Sequence, residues 1–437
     1  MTTWAGPTKT RIEKSIVNPR NEENAMFEPV IGFCRGMFSA GSPGQKQELR
    51  KLKRIRRTAK ALRALPRPDV AAKSTEPFIL VATFRSTIGL GQSARRLATA
   101  LRQAGHVVYT IDVTELFGLA AVVPWTSTPP PEGSSGTLVI CVQPPTLHRI
   151  LRARGTADFV GRRWVGYWWW ELETLPDSWR EIASQVDELW CSSRFVYNCF
   201  ARSIPGKPVR LVPLTIEAPE PSSRSLAGFG LPGRKFTALS VFDLRSHATR
   251  KNPEGMIAAF RKAFGARSDV LYVLKVAGAE KHPQHLAQLR NEIAQSPNIL
   301  VLEEALSNAD LFALMKQVSI ILSLHRSEGL GMVLAEAALL GTPSIATGWS
   351  GVLDFLDSDC AALVGYQLVP VERLDNLRAP SGSLWAEPDI AEAARWLQRL
   401  EANDTLRRRL GERAQERARV LFSQGHFEEQ FTAMPSF

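Results

Sequence analysis

The chain has 437 residues, of which 44% are hydrophobic and 22% charged, and this ordinary globular mix excludes a largely disordered or fibrous protein. At about 150 residues per domain, the length predicts several structural units. The net charge of +11 is concentrated in one segment, and the nearly neutral remainder does not indicate nucleic-acid binding.

The sequence carries no signal for export or for metal binding. No apolar run approaches the ~18 residues of a membrane-spanning helix, and the polar N-terminus lacks the apolar core of a secretory signal. The five scattered cysteines form no C-x-x-C pair, which favours reduced thiols over disulfides. No spacing among the seven histidines resembles a metal site, so we expect a cytoplasmic protein without a metal cofactor.

An N-terminal extension, residues 1–76, precedes the regularly patterned part of the chain. Ten basic residues and one acidic residue lie between Lys46 and Arg67, and apolar side chains recur there every three or four positions. This pattern predicts a basic amphipathic helix over residues 46–67. Its apolar stripe is suited to binding an anionic membrane surface or to packing against the rest of the protein. The pattern favours neither interpretation over the other. RNA is less favoured because no aromatic residues interleave with the charges.

Residues 77–216 alternate between β-branched runs and amphipathic segments, which predicts a first Rossmann-like domain. The predicted strands are 78–83, 106–113, 137–142, 163–169, 187–191 and 209–216. The predicted helices are 93–105, 146–154, 177–185 and 194–203. Strict alternation indicates parallel strands with crossover helices on both faces of the sheet.

Residues 217–235, rich in proline and glycine, break this alternation and predict a linker. A second Rossmann-like domain follows over residues 236–388, and the helical region 389–437 closes the chain. The predicted strands are 236–242, 270–277, 299–302, 320–324 and 344–347, with helices from 253 and over 285–295, 310–318, 331–340, 389–401 and 404–422. The fold class is therefore α/β, with two doubly wound domains that face a cleft at the carboxyl ends of their strands.

The segment from Ser327 to Glu336 follows a predicted strand and opens a helix. Its glycines, Gly329 and Gly331, predict uncovered backbone N–H groups at a helix N-terminus, a natural seat for a phosphate. Glu336 is the one polar position of an otherwise apolar helix, so we expect it at the cleft, where its two oxygens match neighbouring ribose hydroxyls. Glu328 then faces the group beyond the phosphates. The alternative for Glu336 is a buried structural pair with an arginine.

Three basic residues, Arg245, Arg250 and Lys251, lie between the first strand and the first long helix of the second domain. Such a loop, followed by proline at a helix start, is suited to binding a diphosphate. Simple solvation of these charges at the surface is the alternative.

Gly89, Gly91 and Ala94 match the pattern G-x-G-x-x-A after the first strand, and Asp112 ends the next strand. The pattern indicates dinucleotide binding only weakly. Residues 84–88 separate the strand from the first glycine, whereas a nicotinamide site has that glycine directly after the strand. We interpret Gly89 and Gly91 as backbone lining of the cleft.

A tryptophan-rich strand ends at Trp170 and Glu171. Aromatic faces stack on the C–H surface of sugar rings, and carboxylates accept hydrogen bonds from sugar hydroxyls. The pair is therefore our candidate for the acceptor side of the cleft. Any other tryptophan of the run is more often a core residue.

Together these motifs resemble the GT-B glycosyltransferases of glycosyltransferase family 4, retaining enzymes that include transferases of cell-envelope and exopolysaccharide synthesis. Glu328 and Glu336, with Gly329, Leu330 and Gly331 between them, match the family's E-x7-E motif. By implication, Glu336 would hold the nucleotide ribose. Glu328, a candidate catalytic residue, would bind hydroxyl groups of the transferred sugar.

The resemblance covers residues 77–437 and implies further roles. Arg245 and Lys251, the other catalytic candidates, stand where the family places its diphosphate-binding Arg and Lys. Ser350 and Gly351 belong to a segment that resembles the loop closing over the donor. The last helices would cross back onto the first domain.

The resemblance implies a cytoplasmic retaining hexosyltransferase that uses a nucleotide-diphosphate sugar and a glycan or lipid-linked acceptor, with no metal and no nucleic acid. The helix over 46–67 would place it peripherally on the inner face of a membrane. Arg245, Lys251 and the Gly329–Gly331 amides would stabilise the departing diphosphate. Two other functions stay open, a NAD(P)-dependent oxidoreductase that uses the Gly89–Gly91 loop and a non-catalytic membrane-associated scaffold.

Overall fold

The computed structural model describes residues 43–66, 76–217, 220–374 and 377–433. The chain divides after Arg54 into two compact units, and the second, Ile55–Phe437, contains both parallel sheets. The first described element is helix α1 (Pro43–Arg63). Residues 1–42 of the predicted extension, and residue 67 at the end of the predicted basic helix, lie outside the described residues.

The first sheet has six parallel strands. They are β1 (Phe78–Ala82), β2 (Val108–Asp112), β3 (Thr137–Ile140), β4 (Arg163–Tyr167), β5 (Glu188–Cys191) and β6 (Val209–Leu211). Their order across the sheet is β2-β1-β3-β4-β5-β6. The helices between them are α2 (Gly89–Gln103), α3 (Leu147–Arg154), α4 (Asp177–Ala183) and α5 (Arg194–Ser203). Strands β1, β3 and β5 are buried at every position, as expected for a sheet covered on both faces.

The second sheet also has six parallel strands. They are β7 (Phe236–Asp243), β8 (Val270–Ala277), β9 (Ile299–Leu302), β10 (Ile320–Ser323), β11 (Ser344–Thr347) and β12 (Ala362–Val364). The helices are α6 (Ala248–Lys251), α7 (Pro253–Phe264), α8 (Pro283–Ile293), α9 (Asn308–Gln317) and α10 (Met332–Leu340). The order β12-β11-β10-β7-β8-β9 reverses between β7 and β10, and this switch point is where such sheets bind ligands. The predicted α/β fold with two doubly wound domains is confirmed.

Two antiparallel pairs of strands, which the sequence analysis did not predict, follow the second sheet. The pairs are β13 (Tyr366–Pro370) with β16 (Leu384–Pro388), and β14 (Arg373–Leu374) with β15 (Leu377–Arg378). Strand β13 is largely exposed, so it lacks the apolar run that marks a buried strand. Val371, Leu374 and Trp385 nevertheless belong to the same buried cluster as the core of the first sheet. This segment therefore contributes to the contact between the two domains.

The chain ends in three helices, α11 (Ile390–Ala402), α12 (Asp404–Leu421) and α13 (Gln424–Thr432). The last of them lies in the predicted helical region 389–437, although its bounds were not predicted, and it packs on the first domain. Gln424 Nε2 donates a hydrogen bond to the Ala100 carbonyl oxygen at 3.0 Å. Phe427 is fully buried in the cluster that contains β1 and α2 residues. Helix α13 is therefore part of the first domain's core.

The apolar stripe of α1 is docked on the protein from residue 55 onward. Ile55, Ala59 and Leu62 are at most 2% exposed and share a core cluster with Trp179 and Ile182. The basic side chains between them stay exposed, namely Arg56, Arg57, Lys60 and Arg63. The structure therefore favours docking over insertion of the stripe into lipid. Among the described residues, no helix has both the length and the apolar character needed to cross a membrane.

Candidate functional site

The carboxyl ends of β7 and β10 lie side by side at the switch point of the second sheet. Asn252, after α6, caps the next helix, because its Oδ1 accepts a hydrogen bond from Gly255 N at 3.1 Å. Its side-chain nitrogen donates to the Leu324 carbonyl oxygen, just after β10, at 2.9 Å. These bonds tie the two loops together and bring the basic end of α6 against the loop after β10.

Four charged side chains meet there, and we call Arg250, Lys251, Glu328 and Glu171 the charge cluster. Lys251 Nζ lies 2.5 Å from Glu328 Oε1, and Arg250 Nη1 lies 3.1 Å from Glu328 Oε2. On its other side, Arg250 Nη2 lies 3.7 Å from Glu171 Oε1 of the first domain. Arg250 is only 2% exposed, and its Nη1 also donates to the Ser327 carbonyl oxygen at 2.6 Å. The charge cluster therefore spans both domains.

Glu328 is held as a carboxylate. Burial alone would raise its pKa, but the positive charges of Lys251 and Arg250 outweigh burial and lower the pKa to about 2. The two cations and the two carboxylates of the charge cluster balance. An anionic ligand that binds Lys251 or Arg250 therefore competes with a carboxylate for its partner.

Arg245 does not reach the charge cluster. Its Nε and Nη2 bind the carboxylate of Asp243 at distances between 2.6 and 3.0 Å, which raises the pKa of Arg245. Arg250, and not Arg245, therefore joins Lys251 in the charge cluster, which corrects the expectation for Arg245. One sequence feature could have indicated this difference. Arg250 and Lys251 directly precede Asn252, a residue type that commonly caps a helix, and Arg245 does not.

A loop after β11 covers the loop that carries Glu328. Ser350 Oγ accepts a hydrogen bond from Glu328 N at 2.8 Å, and Gly351 N donates to Glu328 O at 3.0 Å. Position 351 has no room for a side chain, because a Cβ there would lie 2.1 Å from the Gly329 carbonyl oxygen. Ser350 and Gly351 therefore fix the backbone on which Glu328 stands.

The backbone from Gly329 to Gly331 is covered, which corrects the expectation of an open helix N-terminus. All three residues are buried, and Leu330 belongs to a core cluster of the second domain. The Gly329 carbonyl oxygen accepts a hydrogen bond from Ser193 Oγ of the first domain at 2.5 Å. A Cβ at Gly329 would lie 3.5 Å from the Trp169 ring. The first domain therefore closes directly over this loop.

Glu336 lies on α10 and faces the first domain, with 5% of the residue exposed. Its Oε1 lies 2.8 Å from Arg96 Nη2 and accepts a hydrogen bond from Gln92 Nε2 at 3.2 Å. Both partners stand on α2, and only 14% of the Arg96 side chain is exposed. The structure thus has the arginine pair that the sequence analysis gave as the alternative for Glu336. The pair joins the two domains.

Gly89 and Gly91 lie in the first turn of α2, because that helix starts at Gly89 instead of at residue 93. A Cβ at Gly91 would lie 2.4 Å from a backbone oxygen just after β1, so Gly91 allows the helix to pack on the sheet. Gly89 faces the second domain, where a Cβ would lie 3.5 Å from Met332 Cε. Asp112 accepts a hydrogen bond from the Thr114 hydroxyl at 2.5 Å. Of these two glycines, Gly89 therefore lines the boundary between the domains and Gly91 does not.

The tryptophan run places Trp169, and not Trp170, at this boundary. Trp170 is 3% exposed, lies 4.8 Å from the Trp179 ring centroid and donates to the Thr174 carbonyl oxygen at 2.9 Å. It is a core residue of the first domain and offers no face to a sugar. Trp169 packs against core clusters of both domains. Glu171, which follows Trp170 in the same loop, belongs to the charge cluster.

The described ranges contain no group of three or more His, Cys, Asp or Glu side chains arranged to hold a metal ion. Four cysteines in those ranges are free and buried, namely Cys141, Cys191, Cys199 and Cys360. Cys34 lies outside the described residues.

Two Rossmann-like domains that bring charged loops together at the carboxyl ends of their sheets define the GT-B class of glycosyltransferases. Residues 195–421, just over half of the chain, match the family described as Family 4 Glycosyltransferase in conflict systems. The chain belongs to this family and is a glycosyltransferase. No curated protein matches the chain by sequence.

Two solved structures of low sequence identity share the fold. HepE from Anabaena, in complex with UDP and glucose, has a TM-score of 0.57 and 13% identity over 82% of this chain and 98% of its own. The sucrose-phosphate synthase of Thermosynechococcus elongatus has a TM-score of 0.59 and 16% identity over 82% and 98% of the two chains. A TarM mutant from S. aureus has a TM-score of 0.49 and 10% identity over 68% of this chain, which spans 55% of that protein.

Proposed function

We propose that the protein is a retaining hexosyltransferase that takes a nucleotide-diphosphate sugar as donor and a hydroxyl group of a glycan or lipid-linked molecule as acceptor. The charge cluster at the switch point of the second sheet carries this proposal, because its cations stand where a doubly wound sheet binds its ligand. Family membership supports sugar transfer. The UDP and glucose bound by HepE, a protein of the same fold, support a nucleotide sugar as donor.

Arg250 and Lys251 are suited to the diphosphate of the donor. Cleavage of the bond between sugar C1 and the phosphate oxygen leaves negative charge on the diphosphate, and two preorganised cations stabilise that charge as it develops. Because the diphosphate replaces Glu328 as their partner, Glu328 becomes able to accept hydrogen bonds from hydroxyl groups of the transferred sugar. The cations supply the charge that a metal ion supplies in other transferases, so we propose that the reaction needs no metal.

We propose that the acceptor oxygen attacks C1 on the face from which the diphosphate departs, which retains the anomeric configuration. The new bond joins the acceptor oxygen to C1, the bond from C1 to the phosphate oxygen breaks, and the acceptor proton passes to that phosphate oxygen. Glu171, on the first-domain side of Arg250, is the side chain best placed to hold the acceptor hydroxyl. Its position in the charge cluster supports this role.

Glu336 is our candidate for the ribose of the nucleotide. It lies on α10, the helix that follows the loop of Glu328, and its carboxylate faces the first domain across the boundary. Two carboxylate oxygens match two adjacent hydroxyl groups. Ser350 and Gly351 act through the backbone by holding the loop between the two glutamates in place.

The oxidoreductase alternative loses support, because Gly91 is a packing residue and Asp112 Oδ1 already accepts hydrogen bonds from the Thr114 hydroxyl and from Arg85 N. For a lipid-linked acceptor, the exposed basic side chains of α1 from residue 56 to residue 63 could still contact an anionic membrane by charge alone. Sedimentation with anionic liposomes tests this contact, which should be present at low salt and lost at high salt. No pelleting at low salt would remove the membrane from the proposal.

A panel of nucleotide sugars tests the proposed function. The purified protein should hydrolyse at least one nucleotide-diphosphate hexose slowly to free sugar, and the released sugar should keep the anomeric configuration of the donor as observed by proton NMR. Hydrolysis with inverted configuration would contradict retention. Calorimetry with NAD and NADP should detect no binding, and saturable binding of either would favour the oxidoreductase.

A further inference from the structure

The carboxylate of Glu336, which we assign to the ribose, is bound in the structure by Arg96 and Gln92. We propose that Arg96 is a latch, a side chain that holds the two domains together through Glu336 and must leave it before a nucleotide can bind. This inference rests on the proposed function, because it takes Glu336 as the ribose-binding residue. It adds that donor binding and separation of the domains are one coupled event.

The contact is a matched surface between two helices. Gln92, Ser93 and Arg96 recur at a spacing that places them on one face of α2, and Met332 and Glu336 share one face of α10. Arg96 Nη1 lies 3.5 Å from Met332 Sδ, and Ser93 Oγ lies 3.7 Å from the same sulfur. Arg96 Nη2 and Gln92 Nε2 both reach Glu336 Oε1, at 2.8 and 3.2 Å. One turn of each helix is therefore in contact.

The burial of the Arg96–Glu336 ion pair explains why the pair resists separation. Of the two side chains, 14% of Arg96 and 6% of Glu336 are exposed, so separation inside the closed protein would leave uncompensated charges away from water. Ribose hydroxyls are neutral and cannot replace the charge of Glu336 as a partner for Arg96. Arg96 can give up Glu336 only by moving toward water, which requires α2 to move away from α10.

A second pair across the domain boundary has the opposite polarity. In the first pair the first domain supplies the cation, Arg96, whereas in the second it supplies the anion, Glu171, to Arg250 at 3.7 Å. A donor that binds Glu336 through its ribose and Arg250 through its diphosphate competes with both pairs. Donor affinity is therefore reduced by the fraction of molecules in which the domains are latched.

The variant R96M tests the latch, because methionine keeps an unbranched side chain and removes the charge. Without nucleotide, R96M should have a larger radius of gyration than the wild type in small-angle X-ray scattering. Calorimetric titration with UDP should give binding about tenfold tighter than in the wild type, because the competing partner of Glu336 is gone. R102M is the matched control, since Arg102 is on the same helix and its hydrogen bonds stay within the first domain. It should change neither measurement.

Weaker binding of UDP by R96M would overturn the latch, because Arg96 would then be a ligand contact. An unchanged radius of gyration would also overturn it. If neither protein binds UDP, the titration is repeated with the nucleoside diphosphate of the donor identified by the nucleotide-sugar panel, and binding no tighter in R96M than in the wild type would overturn the latch. Should R96M not fold, Q92A removes the weaker contact and should shift both measurements in the same direction by a smaller amount, and no shift in a folded Q92A would count against the latch.

Discussion

At the scale of single residues, neighbouring basic side chains of one loop have different environments. Arg250 and Lys251 share Glu328, whereas Arg245 is bound to Asp243 in its own loop. Basic composition alone cannot distinguish them, because the difference arises from the direction in which the turn before the helix points each side chain. The distinction can be tested by mutation.

Replacing Lys251 with alanine should lower the rate of sugar transfer about a hundredfold or more, because a preorganised charge at the departing diphosphate is lost. R245A is the matched control, since it removes a cation from the same loop outside the charge cluster. We expect R245A to keep most of the activity. Steady-state rates with the best donor of the panel measure both, and a greater loss in R245A would return Arg245 to the site.

Acidification should destabilise the protein through Glu328. Burial alone would raise its pKa, yet Lys251 and Arg250 lower it from 4.5 to about 2. Because the pKa is lower in the folded state, the charge contributes stability above the unfolded pKa and loses it as the pH falls from about 4.5 toward 2. E328Q lacks this titration. In urea denaturation, its free energy of unfolding should fall less than that of the wild type between about pH 6 and about pH 3, and an equal fall would assign the effect to other groups.

At the scale of elements, the residues of the charge cluster lie on segments that follow strands, and the strands of the second sheet bring the starts of their segments side by side. The loops after β7, β10 and β11 are held by side-chain and backbone hydrogen bonds at Asn252 and Ser350. The tightest approach is at Gly351, where the backbone of one loop meets that of another. A change there acts on the site without touching a charged group.

The variant G351A should lose both stability and activity, because its Cβ would lie 2.1 Å from the Gly329 carbonyl oxygen and the loops must separate. We expect a cost of about 1–3 kcal/mol in the free energy of unfolding. G233A is the control, since a Cβ at Gly233 would meet no atom within 4 Å. Thermal denaturation and transfer rates measure both variants, and equal stabilities would contradict the close approach.

The regular elements were largely predictable, whereas the particular side chains that meet between the domains were not. Strand β8 and helix α5 have the predicted bounds, because an apolar run ends at polar loops in the first and a serine cap starts the second. The pairing of β13 with β16 was missed because β13 is exposed and lacks the apolar run of a buried strand. Arg96 and Glu336 are separated by 240 positions, so no local pattern relates them. Trp170 was misassigned because composition does not indicate which face of a strand end points to the cleft.

At the scale of the whole molecule, helix α13 completes the core of the first domain. Phe427 on α13 is fully buried with residues of β1 and α2, although the second domain separates them in sequence. The first domain therefore depends for its core on a helix that follows the second domain in sequence.

The variant F427A should reduce the free energy of unfolding by about 3–5 kcal/mol, because it leaves a cavity in that core. V420A, at a position 62% exposed on α12, is the control and should change stability by less than about 0.5 kcal/mol. Urea denaturation measures both. A small effect of F427A would mean that α13 contributes little to the first domain.

The helix α13 also means that the backbone runs between the domains twice. The first passage follows Ile216 and the second follows Phe422, and Ile216 N donates to the Phe422 carbonyl oxygen at 3.1 Å. Hinges between domains are formed by a few loop or element-terminal residues that absorb the change in backbone angles, and here the two connecting segments lie side by side. If the domains separate when the donor binds, as we propose, the backbone near Ile216 and the backbone near Phe422 must bend together.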